Sequence, residues 1–163
     1  MRYEEARDRI RSGDLLAWSH RGWGSLYDLQ IQAIRVFDRT EYTHVGVAWC
    51  VAGRVFVVES VSAGVRIFPL SRLAPFYWLA LDVEWTADAE DFVIEHLGDQ
   101  YSKWQALLAF FRALQGGADR AWQCAEFAAR LLLRLGCDLG DRYVPSSLVQ
   151  SALERGARVA FVT

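Results

Sequence analysis

Cysteine, histidine and proline are scarce in this chain, and long apolar runs are missing. Three cysteines cannot pair completely, and Cys50, Cys124 and Cys137 show neither a C-x-x-C pair nor the Cys/His spacing of zinc ligands. A disulfide framework and a metal site are therefore not expected. Charged residues interrupt every apolar run before the roughly 18 residues that a membrane helix needs, so no membrane span is expected either.

An excess of charge of one sign is also missing. The chain carries 18 Lys and Arg against 20 Asp and Glu, a formal net charge of -2, and no basic block that would follow a phosphate backbone. Nucleic acid is therefore not an expected partner. The segment from Met1 to Asp8 alternates charges and lacks the apolar stretch and cleavage site of a secretory signal. The sequence predicts a cytoplasmic protein, and nothing in it indicates a cofactor.

What the sequence does contain is enough apolar material for one compact core. Apolar residues make up 53% of the 163 positions, and a domain of this size buries roughly two-thirds of the surface that its unfolded chain exposes. The chain shows no internal repeat, low-complexity stretch or linker. We predict a single domain over residues 1–163.

The spacing of apolar residues predicts strands in the middle of the chain and helices around them. The predicted strands are 15–18, 44–51, 55–61, 64–69, 76–83 and 158–162. The predicted helices are 3–11, 25–37, 88–97, 103–114, 121–135 and 145–155, with a glycine-rich loop at 20–24. Strands and helices in separate blocks indicate an α+β fold with a central antiparallel sheet packed by helices.

Cys124 is the strongest candidate for a nucleophile because it lies near the start of a predicted helix. Unpaired N–H groups and the helix dipole stabilise a thiolate at such a position. The alternative is a small buried core residue, which is the commonest use of cysteine. Cys50 and Cys137 keep that second interpretation.

His44 and Glu59 lie on the two strands of a predicted hairpin that turns at Gly53. An imidazole titrates near neutral pH and can act as a base. Glu59 interrupts the apolar strand 55–61, and a buried carboxylate is costly unless it is paired. In a tight hairpin Glu59 would lie roughly opposite the start of the His44 strand and could orient the imidazole. Thiol, imidazole and carboxylate form the pattern of cysteine hydrolases; the alternatives are a surface or core histidine and a solvated glutamate.

Several short segments together resemble the circularly permuted branch of the NlpC papain-like superfamily, which includes YiiX-like proteins. The segments are Gly13-Asp14-Leu15-Leu16, Thr43-His44-Val45-Gly46-Val47, Val57-Val58-Glu59-Ser60, Gly98-Asp99-Gln100-Tyr101, Gln123-Cys124-Ala125-Glu126-Phe127 and Val144-Pro145-Ser146-Ser147-Leu148. In ordinary papain-like enzymes the cysteine helix precedes the histidine strand. The reversed order here implies a permuted papain-like fold.

The resemblance also implies roles for individual residues. Cys124 attacks a carbonyl carbon, His44 removes the thiol proton and later protonates the leaving group, and Glu59 orients His44. Tyr101 is loosely similar to a tyrosine of the oxyanion site in unpermuted relatives. Gln123 departs from the resemblance, since many relatives carry a small or aromatic residue at this position; its amide supplies a donor or faces solvent. The helix-start position of Cys124 makes its backbone N–H the safer oxyanion donor.

The sequence therefore predicts a peptidase-like or amidase-like cysteine hydrolase that cleaves an amide, ester or thioester through an acyl-enzyme on Cys124. Unpermuted relatives suggest cell-wall peptides as substrates. Two alternatives stay open. One is a lipid-directed acyltransferase similar to lecithin retinol acyltransferase, and the other is a non-catalytic binding or structural module of a phage or mobile element.

Overall fold

A six-stranded sheet forms the centre of the structure. The computed structural model of the chain describes residues 1–19, 42–98 and 119–163, with side chains described from residue 124 onward in the last range. The strands in these ranges are β1 (Leu15–Ser19), β2 (Tyr42–Val51), β3 (Arg54–Val61), β4 (Gly64–Pro69), β5 (Phe76–Ala80) and β6 (Arg158–Val162). Their order is β4-β3-β2-β1-β5-β6, and all neighbours are antiparallel. The predicted α+β class and antiparallel sheet are confirmed.

Helices pack on this sheet. They are α1 (Tyr3–Ala6), α2 (Ala87–His96), α3 (Asp119–Arg134) and α4 (Pro145–Glu154), with a short 3-10 turn at Leu70–Arg72. Helix α2 begins at a cap in which the Thr86 hydroxyl accepts the N–H of Ala89 at 3.2 Å. Helix α3 packs on β2 and β3, and α2 and α4 pack on α3. No helix in the described ranges has the length and apolar character needed to cross a membrane.

Both faces of the sheet are covered by apolar side chains, which alternate along each strand. Along β1, Leu15 and Ala17 belong to the cluster that includes the helices, whereas Leu16 and Trp18 pack with the cluster that includes Ile10 of the N-terminal segment. A sheet buried on both faces needs apolar side chains at successive positions. This explains the continuous apolar runs seen in the sequence.

The first predicted helix and the fifth predicted strand are shorter than expected, and Asp14 accounts for the end of the strand. Helix α1 ends at Ala6, and farther along the N–H of Arg11 donates to Asp14 Oδ2 at 2.8 Å. Strand β5 ends at Ala80, and the N–H of Leu81 donates to Asp14 Oδ1 at 3.1 Å. A side-chain acceptor here competes with the regular backbone pattern. The predicted elements at 20–24, 25–37 and 103–114 lie outside the described residues.

Gly46 in β2 occupies a position without room for a side chain. A Cβ atom built there would lie 2.5 Å from Val57 Cγ2, 3.1 Å from the carbonyl oxygen of Val58 and 3.2 Å from Glu59 Cβ. We therefore expect Gly46→Ala to lower the free energy of unfolding by about 1–3 kcal/mol, the usual cost of overpacking. Urea unfolding would measure this change, and an unaltered midpoint would show that the neighbouring strands yield without cost.

Candidate active site

His44 and Glu59 are held together by the register of β2 and β3. Val47 pairs with Val58 in that register, so the start of β2 lies beside the end of β3. His44 Nε2 lies 2.5 Å from Glu59 Oε2. The Glu59 side chain is 2% exposed and that of His44 is 26% exposed. A carboxylate buried this deeply is stable only when its oxygens are paired.

The second oxygen of Glu59 is paired with Arg66 on β4. Glu59 and Arg66 are direct cross-strand partners, and the guanidinium donates to Oε1 through Nε at 2.8 Å and through Nη2 at 2.6 Å. The same guanidinium lies 4.6 Å from the centre of the Phe68 ring. Both carboxylate oxygens of Glu59 are therefore occupied by cationic or potentially cationic donors, which fixes the orientation of the carboxylate.

Cys124 on α3 lies on the other side of His44, and the two side chains form a hydrogen bond. Since Nε2 faces Glu59, Nδ1 is the ring nitrogen left for the thiol. The Cys124 side chain is fully buried within the helix-side core. The structure thus brings Cys124, His44 and Glu59 together in the order thiol, imidazole, carboxylate, and it also makes Cys124 a core residue.

The pairing changes the protonation of the site. Burial lowers the pKa of His44, but the hydrogen bonds and charges of Cys124 and Glu59 more than offset it and raise the pKa to about 9. For Glu59 the directions are reversed. Burial raises the pKa of its carboxyl group, but the hydrogen bonds and charges of His44 and Arg66 more than offset burial and bring the pKa below its ordinary value. At neutral pH the favoured state of His44 is therefore an imidazolium, which bonds to Glu59 through Nε2 and faces the sulfur of Cys124.

The raised pKa of His44 predicts a pH-dependent contribution to stability. The folded-state pKa of about 9 exceeds the ordinary value of 6.5, so this contribution is fully present below pH 6.5 and is lost as the pH rises through about 9. Urea-unfolding free energies of the wild type and His44→Gln should therefore converge as the pH is raised over that interval. A difference between the two proteins that stays constant with pH would contradict the assignment.

The placement of Cys124 at a helix start is a prediction that the structure corrects. Helix α3 already includes Asp119, five residues before Cys124, so at 3.6 residues per turn Cys124 lies beyond the first turn. The N–H of a second-turn residue bonds to the carbonyl four residues earlier. The backbone N–H of Cys124 is therefore not a free oxyanion donor. Tyr101 and the side chain of Gln123 lie outside the described residues, so their oxyanion roles stay predictions.

Two site residues escaped the sequence analysis. Arg66 is one, although the predicted strands 55–61 and 64–69 leave a two-residue turn that pairs position 66 with Glu59. Trp18 is the other: it pairs with His44 across β1 and β2, and the two rings lie 5.4 Å apart at 45°. The Trp18 indole donates to the carbonyl of Leu73 at 2.8 Å, which holds it in place. The apolar pattern of the first strand predicts burial of Trp18 but does not indicate its contact with His44.

The segment Val144-Pro145-Ser146-Ser147-Leu148 also contacts an element of the site. The hydroxyl of Ser146, in the first turn of α4, accepts the N–H of Tyr42 at 3.1 Å. Tyr42 begins β2 two residues before His44. The bond ties the start of α4 to the end of the strand that carries the imidazole, which gives this segment a positioning role.

Comparison with known structures identifies the fold. The structure is similar to the crystal structure of the metalloprotein YiiX from Escherichia coli O157:H7, with 16% sequence identity and a TM-score of 0.50 over 90% of this chain and 82% of that chain. No protein-family model and no curated protein matches the sequence. The chain therefore has a YiiX-like α+β fold, and the permuted papain-like order of its elements remains a prediction.

The residues described here do not fit a metal site. Within the described ranges, no group of three or more His, Cys, Asp or Glu side chains is arranged to hold a metal ion. The acidic member of the site, Glu59, has one oxygen on His44 and the other on the Arg66 guanidinium. A metal ion at Glu59 would face that guanidinium charge and would have to displace one of these hydrogen bonds.

Proposed function

We propose that the chain is a cysteine hydrolase that cleaves an amide, ester or thioester bond through an acyl-enzyme on Cys124. The observation that carries the proposal is the position of His44, which is hydrogen-bonded to the Cys124 thiol on one side and to Glu59 on the other. Nucleophile, base and orienting group in this order form the arrangement that activates a thiol for acyl transfer.

In the first half of the reaction, the proton shared by Cys124 and His44 lies on the imidazole, and the thiolate Sγ attacks the carbonyl carbon of the substrate. The tetrahedral intermediate collapses when the bond to the leaving nitrogen, oxygen or sulfur breaks. The proton on His44 passes to that leaving group. A pKa of about 9 means that the imidazole holds its proton well at neutral pH, which suits it to the protonation of an amine or alkoxide.

In the second half, His44 is neutral and takes a proton from water while the water oxygen attacks the thioester carbon. Release of the carboxylic acid returns the proton to the Cys124 and His44 pair. Glu59 keeps Nε2 of the ring occupied throughout, so that Nδ1 faces the sulfur in both halves. Arg66 keeps Glu59 ionised beside the ring.

Burial of Cys124 sets a condition on this mechanism. Its side chain has no exposed surface, so an acyl donor reaches Sγ only after the atoms that cover the sulfur move. Burial raises the pKa of the Cys50 and Cys137 thiols, and neither of them contacts a histidine among the described residues.

Selective alkylation tests the proposal. An iodoacetamide dye at neutral pH should label Cys124 at least about tenfold faster than Cys50 or Cys137, because only a thiolate is nucleophilic and His44 stabilises that form. Peptide mapping over a time course gives the three rates. Labelling of Cys124 in His44→Gln should fall to the rate of the other two thiols, and equal rates in the wild type would count against a Cys124 nucleophile.

A further inference from the structure

A second concave site lies at the far end of the sheet from the Cys124 site. It is a cavity of about 820 Å³. Its walls include Asp14 just before β1 and the segment from Ala80 to Val83 after β5. His44 instead pairs with Trp18, near the opposite end of β1. The two sites are therefore separated along the strands and use different residues.

The cavity is lined by four arginines that come from two separate parts of the chain. They are Arg9, Arg11, Arg155 and Arg158. None of them forms an ion pair with a carboxylate in the part of the chain that the structure describes. Guanidinium groups gathered around one cavity repel one another, and the repulsion is relieved when an anion binds between them.

Two of these arginines are held by the protein itself. The guanidinium of Arg9 lies 5.5 Å from the centre of the Trp78 ring, a cation–π contact. Nη1 of Arg11 donates to the carbonyl oxygens of Asp8 at 2.9 Å and Ile10 at 3.3 Å. Contacts of this kind reduce the entropy that the side chains lose when they bind a ligand.

The acidic residues of the cavity do not cancel this charge. Asp14 and Asp82 are the acidic residues among its lining residues, against the four arginines. Asp14 is 2% exposed, and its oxygens accept the N–H groups of Arg11 and Leu81 and the indole N–H of Trp78. Asp14 therefore builds the wall, and the charge of the cavity stays positive although the whole chain carries -2.

The glycine before Asp14 explains how this wall is assembled. Gly13 has φ of 95°, and a Cβ atom there would lie 2.3 Å from Cγ2 of Val83. Only glycine both adopts this backbone conformation without strain and allows the approach. The Gly13-Asp14 pair thus brings the N-terminal arginines and the segment after β5 together. This pair has no part in the proposed hydrolase chemistry.

We propose that this cavity binds a small organic anion with at least two phosphate or carboxylate groups. The planar fork of each guanidinium matches the oxygens of either group, and arginines on two walls can hold the two ends of one ligand. A site of this size and sign, remote from Cys124, would act as a binding site that is independent of the hydrolase chemistry.

Titration calorimetry with inorganic pyrophosphate and, separately, with citrate tests the proposal on the full chain. We expect saturable binding of at least one probe at one site per chain, retained when sodium chloride at matched ionic strength is present in both cell and syringe. The double variant Arg155→Gln/Arg158→Gln should raise the dissociation constant about tenfold or more. The probe that binds shows whether phosphate or carboxylate is preferred.

The matched control is Arg72→Gln/Arg142→Gln, which makes the same change of charge at two exposed arginines outside the cavity. This control should keep wild-type affinity. Failure of both probes to saturate, or an equal loss of affinity in the two double variants, would overturn the proposal. Circular dichroism of each variant establishes that a loss of binding is not a loss of fold.

Discussion

Replacing Cys124 with alanine is expected to reduce the hydrolysis of an activated ester such as p-nitrophenyl acetate by at least roughly a thousandfold. The variant keeps His44 and Glu59 but has no atom that can form the acyl-enzyme, and loss of a nucleophile removes most of the rate enhancement of such enzymes. Release of p-nitrophenolate, followed at neutral pH over a range of ester concentrations, gives kcat and KM for both proteins.

Burial of Cys124 makes a second variant necessary. Because the side chain is fully buried, Cys124→Ala also leaves a small void and is expected to cost about 1–2 kcal/mol of folding free energy. Cys124→Ser keeps a group that can hydrogen-bond to His44 and nearly fills the same space. We expect Cys124→Ser to fold with nearly wild-type stability and still lose most turnover. Wild-type turnover in Cys124→Ser would show that the sulfur is not the nucleophile and that Cys124 is a packing residue.

Glu59→Gln is expected to have the second-largest effect, a fall in turnover of roughly 10²–10⁴-fold, the range seen when the carboxylate behind a catalytic histidine is made neutral. The amide has nearly the same shape, but it removes the negative charge that raises the pKa of His44. It also leaves the Arg66 guanidinium without its partner. NMR titration of the His44 ring should show a midpoint below the wild-type value of about 9.

Two comparisons separate the role of Glu59 from a general effect of removing a carboxylate. Glu126→Gln removes the salt bridge of Glu126 to Arg130 one turn further along α3 and should change turnover by less than about threefold, since this pair does not touch His44. Arg66→Lys keeps a positive charge beside Glu59 and should be less impaired than Arg66→Gln. Equal turnover in Glu59→Gln and Glu126→Gln would show that Glu59 does not contribute to catalysis.

The hairpin part of the site could be predicted from the sequence because it depends on local rules. A glutamate inside the apolar strand β3 indicates a buried, paired carboxylate, and a tight turn at Gly53 brings it back toward His44. Arg66 follows from the same reasoning applied to the next hairpin. Its salt bridge to Glu59 is readable once the register of β3 and β4 is written out.

The position of Cys124 could not be predicted in the same way. Its contact with His44 joins α3 to β2 across a long stretch of chain, and no local pattern fixes how a helix is rotated and placed on a sheet. Helix boundaries read from composition are also uncertain by a turn, which moved Cys124 from the first turn to the second. The role of Asp14 in ending β5 depends on a tertiary hydrogen bond from the N–H of Leu81, and no local pattern indicates it.

The most direct test of the account is the mass of the protein after brief exposure to p-nitrophenyl acetate followed by an acid quench. A cysteine hydrolase accumulates its acyl-enzyme when deacylation is slow, so we predict a single added acetyl group that peptide mapping places on Cys124. The adduct should be absent from Cys124→Ala and Cys124→Ser and should form more slowly in His44→Gln. An unmodified protein, or acetyl groups spread over lysines without enrichment at Cys124, would contradict the proposed catalytic site.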